Sequence, residues 1–142
     1  MQGTIIKVVV EEGQPDVWEA PEKETGLLAL QVGVTVRDHH PDAFLDVHEA
    51  LFDARHVESL DLRDREVLTR VLEDNGVPTA EVFDTIAGGE PLATVRKEHE
   101  AAVERTNVWG VPTFMLGDRA VFVRLMNGPN DDADGRATVE RV

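Results

Sequence analysis

The sequence predicts an α/β domain, and three stretches predict it. Thr4-Ile-Ile-Lys-Val-Val-Val10 is a β-branched run of strand length near the amino end. Residues 25–106 carry apolar residues at helical spacing, interrupted by proline and glycine stops. Gly110-Val111-Pro112-Thr113-Phe114 then leads into Met115–Leu116, Gly117-Asp118 and Arg119–Arg124, which reads as two short apolar strands, near 113–117 and 120–125, joined by a tight turn. With 142 residues, 42% of them hydrophobic, one domain over 1–142 is the natural count, large enough to bury about two-thirds of its unfolded surface.

Taken in order, the strand at Thr4–Val10 is closed by Glu12-Gly13-Gln14-Pro15, and Asp16 to Glu24 reads as an exposed acidic loop. Leu27 to Val36 is β-branched in its second half and fits either state; Thr25 as cap with Leu27, Leu30 and Val34 on one face favours a helix ending near Arg37-Asp38. Pro41 sits in the first turn of the next helix, whose Phe44, Val47, His48, Leu51 and Phe52 predict the buried face. Asp61 or Asp64 caps a third helix through Val67, Leu68, Val71 and Leu72, stopped by Asn75-Gly76 and Val77-Pro78. Thr79 caps a fourth through Val82, Phe83 and Ile86, stopped by Gly88-Gly89. From Pro91 a fifth places Leu92, Val95, His99, Ala102 and Val103 inward and ends near Thr106-Asn107. Asn127 to Gly135 reads as an acidic loop and Ala137–Val142 as the first turns of a terminal helix.

Charge and composition exclude several functions. Twenty-eight acids against 14 bases give a net charge of −14, which repels nucleic acid and anionic membranes. No apolar run approaches the roughly 18 residues of a membrane span. The amino end lacks a basic region followed by a cleavage site, so a cytoplasmic location is expected. Five histidines, at 39, 40, 48, 56 and 99, lack H-E-x-x-H spacing and predict no metal site. Asp131-Asp132-Ala133-Asp134 lacks the spacing of a calcium loop. Ser59, the one serine, has no nucleophile-elbow context, and Gly88-Gly89 is a helix stop without a phosphate-binding pattern; no cofactor is expected. There is no cysteine, which removes disulfides, thiolate metal sites and a thiol nucleophile.

Trp109-Gly-Val-Pro-Thr-Phe114, the following hairpin, and the segments Arg37-Asp-His-His-Pro41, Leu51-Phe-Asp-Ala-Arg-His56 and Val95-Arg-Lys-Glu-His-Glu-Ala101 resemble a bacterial subgroup of the DsbA-like branch of thioredoxin-fold proteins, from about Gly26 to Val142. The resemblance implies a thioredoxin-like fold with an incomplete sheet, an all-helical insertion over 25–106, and a cis-proline loop, β-hairpin and start of a terminal helix over 107–142. It implies a thiol-disulfide oxidoreductase by descent, here truncated and redox-inactive, since the Cys-X-X-Cys that follows the first strand in the family does not follow Val10. It further implies a cis Val111-Pro112 bond, with Val111 offering its backbone to an extended substrate strand and Trp109, Thr113 and Phe114 lining the groove. No catalytic residue is expected. The ligand would be a peptide, a small thiol or an apolar molecule, and surface left by the missing segment could let copies associate. The alternatives are a non-catalytic binding module using that groove and a relative of the kappa-type glutathione transferases and isomerases.

Overall fold

The structure, a computed structural model, describes residues 17–19, 26–106, 113–117, 119–123 and 131–140. The predicted strand at Thr4–Val10 and the proposed cap Thr25 lie outside these residues. The chain forms two compact units, one within residues 8–98 and one that includes residues 99–142. The described elements are α1 (Leu27–His39), α2 (Phe44–His56), α3 (Arg65–Asp74), α4 (Thr79–Ala87), α5 (Glu90–Thr106), β1 (Thr113–Leu116), β2 (Arg119–Phe122) and α6 (Asp132–Glu140).

In the first unit α1 resolves the strand–helix ambiguity as a helix. Its buried residues are Leu27, Ala29, Gln31, Val32, Thr35 and Val36, so Leu30 and Val34 lie beside the core face rather than on it. Two polar side chains tolerate burial there because they bond back to the helix: Gln31 Nε2 donates to Leu27 O at 3.3 Å and Thr35 Oγ1 to Gln31 O at 2.8 Å. The helix runs on to His39, past Arg37-Asp38, and the His40 N–H closes it on Val36 O. A single 3₁₀ turn at Pro41–Ala43 leads into α2.

α2 buries Val47, Leu51 and Ala54. Phe44 and His48 are only half-buried and Phe52 is 56% exposed, so the core stripe is rotated away from the side on which Phe52 was expected to be buried. α1 packs on α2 and α4, and α3 packs on α2 and α4. Val32, Val36, Val47, Leu68, Leu72, Val82 and Phe83 meet in one core.

The cap of α3 is Asp64, whose carboxylate accepts from Glu66 N at 2.8 Å. Asp61 instead holds Arg63, through Arg63 Nη2 at 2.7 Å and the Arg63 N–H at 2.9 Å. These bonds lower the Asp61 carboxyl from 3.8 to about 2 and raise Arg63. Because the native value is depressed, the pairing persists from neutral pH downward and is lost as pH falls through about 2. An NMR titration of the Asp61 carboxyl should therefore give a midpoint near 2, moving back toward 3.8 in Arg63→Gln.

α3 ends in a Schellman motif. Val77 N donates to Leu72 O at 2.9 Å and Gly76 N to Glu73 O at 3.0 Å, with Gly76 at φ +69°. No heavy atom would meet a β-carbon at Gly76, so Gly76→Ala adds backbone strain without a clash. It should cost about 1–2 kcal/mol, read as a lower urea midpoint with an unchanged slope.

Thr79 does not cap α4. Pro78 is the capping residue and makes no side-chain bond, while Thr79 is the first helical residue and its buried hydroxyl has no partner among the described residues. The Schellman turn brings the chain out through extended Pro78, leaving α4 no capping side chain. Gly88 and Gly89, the latter at φ +83°, end α4, and α5 starts at Glu90.

Val95 is buried on α5, whereas Val103, expected inward, is exposed. Glu98 is half-buried and accepts from Arg37 Nη1 and Nη2 at 3.2 and 2.9 Å, tying α5 to α1. Asp38 first and Glu98 second hold the Arg37 guanidinium above its ordinary value.

In the other unit, the hairpin is antiparallel with Thr113 opposite Phe122, Phe114 opposite Val121, Met115 opposite Ala120 and Leu116 opposite Arg119. Both strands are slightly shorter than the sequence suggests. α6 begins at Asp132, inside the stretch read as a loop, because Asp131 caps it: Asp134 N donates to Asp131 Oδ1 at 2.8 Å and Gly135 N to Asp131 O at 3.0 Å.

Candidate functional site

The residues expected to form a groove are Trp109, Val111, Pro112, Thr113 and Phe114. Trp109, Val111 and Pro112 lie outside the described residues, and so does the geometry of the Val111-Pro112 bond. Thr113 opens β1, half-buried and paired with Phe122; Phe114 follows, 48% exposed and paired with Val121.

The local sequence explains why this hairpin forms. Thr113, Phe114, Val121 and Phe122 are β-branched or aromatic, and they meet in direct cross-strand pairs. Gly117 at φ +63° supplies the left-handed backbone that a two-residue connection needs. Arg105 Nη2 donates to Gly117 O at 3.2 Å and holds the turn against the end of α5.

Alternation along the strands places Phe114, Leu116, Val121 and Arg119 on one face and Thr113, Met115, Ala120 and Phe122 on the other. Leu116 is 83% exposed, and Met115, Val121 and Phe122 are also exposed. Exposed apolar side chains therefore stand on both faces of the hairpin.

The other candidate residues are dispersed. His39 is exposed, and His40 lies at the end of α1 with Nε2 3.4 Å from Glu81 Oε1. His48 and His56 stand in a row of rings along α2, and His99 is half-buried on α5. Among the described residues no group of three or more His, Asp or Glu side chains is arranged to hold a metal ion. Among the described residues no helix is long and apolar enough to cross a membrane. Ser59 is exposed in the turn after α2, at φ +59°.

The described residues form a run of helices, a small two-stranded antiparallel sheet and a further helix, an α/β arrangement that agrees with a thioredoxin-like domain carrying a helical insertion. The profile of the DSBA-like thioredoxin domain matches residues 12–131, and the chain belongs to that family. The match starts earlier than Gly26, where the resemblance in the residues begins, and stops short of Val142. No curated protein and no solved structure matches the chain.

Proposed function

We propose that this chain is a DSBA-like protein that carries out no thiol-disulfide exchange with its own residues and acts by binding. The carrying observation is the absence of cysteine from the whole chain, and so from the family match over residues 12–131. Exchange starts with a thiolate attacking a disulfide sulfur, and the three methionine thioethers have no ionisable proton and cannot take that role.

The ligand is an extended apolar peptide or a small apolar molecule held where the 109–114 segment enters β1. The support for this is the family membership, the Val111-Pro112 sequence, and the apolar side chains of Phe114, Met115, Leu116, Val121 and Phe122 left exposed beside that segment. A strand-like ligand would gain backbone hydrogen bonds along an edge and apolar contact on alternate side chains.

The two tryptophans are Trp18 and Trp109, so a Trp18→Phe variant reports from Trp109 alone. Titration with an extended Val/Ile/Leu-rich peptide should give a saturable emission change, weakened about tenfold or more by Phe114→Ser. Emission that stays flat up to millimolar peptide, or a response indifferent to Phe114, contradicts the proposal.

A further inference from the structure

α2 carries two apolar seams, and only one is buried. Val47, Leu51 and Ala54 face the core formed with α1, α3 and α4. Leu45, His48 and Phe52, at i, i+3 and i+7, form a second seam; Leu45 is 73% and Phe52 56% exposed. The rings of Phe44, His48, Phe52 and His56 run along it at successive centroid distances of 5.5, 5.0 and 5.6 Å. Ring neighbours on either side, stacked for Phe44–His48 and tilted for the other two pairs, hold Phe52 and His48 in place, so a partner would lose little rotamer freedom in engaging them.

Charge identifies the partner. Asp46, Glu49 and Asp53, at i, i+3 and i+7, flank this seam; all three are exposed, and among the described residues none is in an ion pair. A second copy docked antiparallel would set this acidic row against itself, and each copy carries −14. A nucleic acid or an anionic bilayer is repelled for the same reason.

We propose that the Leu45–His48–Phe52 seam docks a basic amphipathic helix of another protein. Its apolar residues lie along the ring row and its lysine or arginine side chains reach Asp46, Glu49 and Asp53, in the manner of flanking charges beside a coiled-coil seam. Arginine fits best, because a guanidinium can stack on an exposed ring while pairing with a carboxylate.

The test uses the full chain and two fluorescent synthetic helices of about three heptads, each with leucine along the seam, one flanked by lysine and arginine and the other by glutamate. Anisotropy should show saturable binding of the basic helix alone. Leu45→Ser with Phe52→Ser should weaken it about tenfold or more. Asp46→Asn with Glu49→Gln and Asp53→Asn, all at exposed positions, should weaken it and flatten its salt dependence. Equal binding of the basic helix by the Leu45/Phe52 variant would reduce the effect to general attraction to an acidic chain and overturn the proposal. Failure of the wild-type chain to bind would overturn it as well. Self-association of the chain in sedimentation, abolished by the Leu45/Phe52 changes, would overturn it in favour of a second copy. The outcome is independent of the peptide titration read through Trp109, so either result can fail alone.

Discussion

Leu72→Ala should lower the unfolding free energy by about 2–5 kcal/mol. Leu72 is fully buried on α3, in the core shared with Val32, Val36, Val47, Leu68, Val82 and Phe83. Removing its isobutyl group deletes apolar contacts and leaves a cavity between helices that pack pairwise around it. Its carbonyl also receives the Val77 N–H that closes the α3–α4 turn, so relaxation into the cavity pulls on the turn. Small single domains hold about 5–15 kcal/mol in total, which makes the loss readily visible as a drop in urea midpoint. Phe52→Ala, a larger truncation on the exposed side of α2, should stay within about 0.5 kcal/mol. Equal losses for the two would contradict the placement of the core stripe.

The contrast between those two residues also shows how far the sequence could be read. Five helices and a hairpin follow from spacing and stop signals, because a buried stripe leaves a period of three to four and because glycine is the residue that most cheaply ends a helix. Gly76, Gly89 and Gly117 all stand at positive φ where turns were expected. Rotation about a helix axis is less legible. Phe44, Val47, His48, Leu51 and Phe52 satisfy a single period, but α2 has two apolar seams, and only the packing of α1 and α3 selects Val47, Leu51 and Ala54 for the core.

Caps divide in the same way. Asp61 and Asp64 are equivalent by residue type, and hydrogen bonding alone assigns the cap to Asp64 and the Arg63 pairing to Asp61. Thr79 has the chemistry of a cap but follows a proline whose extended backbone takes the capping position. Asp131 was legible as a cap with Asp134 three residues on, yet the density of acids around it reads first as a solvated loop. At the candidate groove, Thr113 and Phe114 lie where the hairpin pattern puts them. Glu98 could not be found from period alone, since its burial depends on Arg37, 61 residues earlier.

Thiol chemistry gives the other large expected effect. A family member with a reactive dithiol accelerates the reduction of insulin disulfides by cycling through a mixed disulfide: thiolate sulfur bonds to one substrate sulfur as the substrate disulfide breaks, and a second thiol then attacks the first catalytic sulfur, expelling the substrate thiolate and leaving a catalyst disulfide that dithiothreitol reduces. Every step needs a cysteine sulfur on the catalyst, and this chain has none. Binding a substrate strand near β1 cannot substitute for it, because proximity speeds only a reaction whose nucleophile is present.

The most direct measurement of the central claim is therefore insulin reduction by dithiothreitol, followed as turbidity, with the purified chain added at substrate-like concentration and a boiled sample as control. The account predicts identical onset times and slopes with native chain, boiled chain and buffer. A shorter onset or steeper slope with the native chain alone, proportional to its concentration, would contradict it.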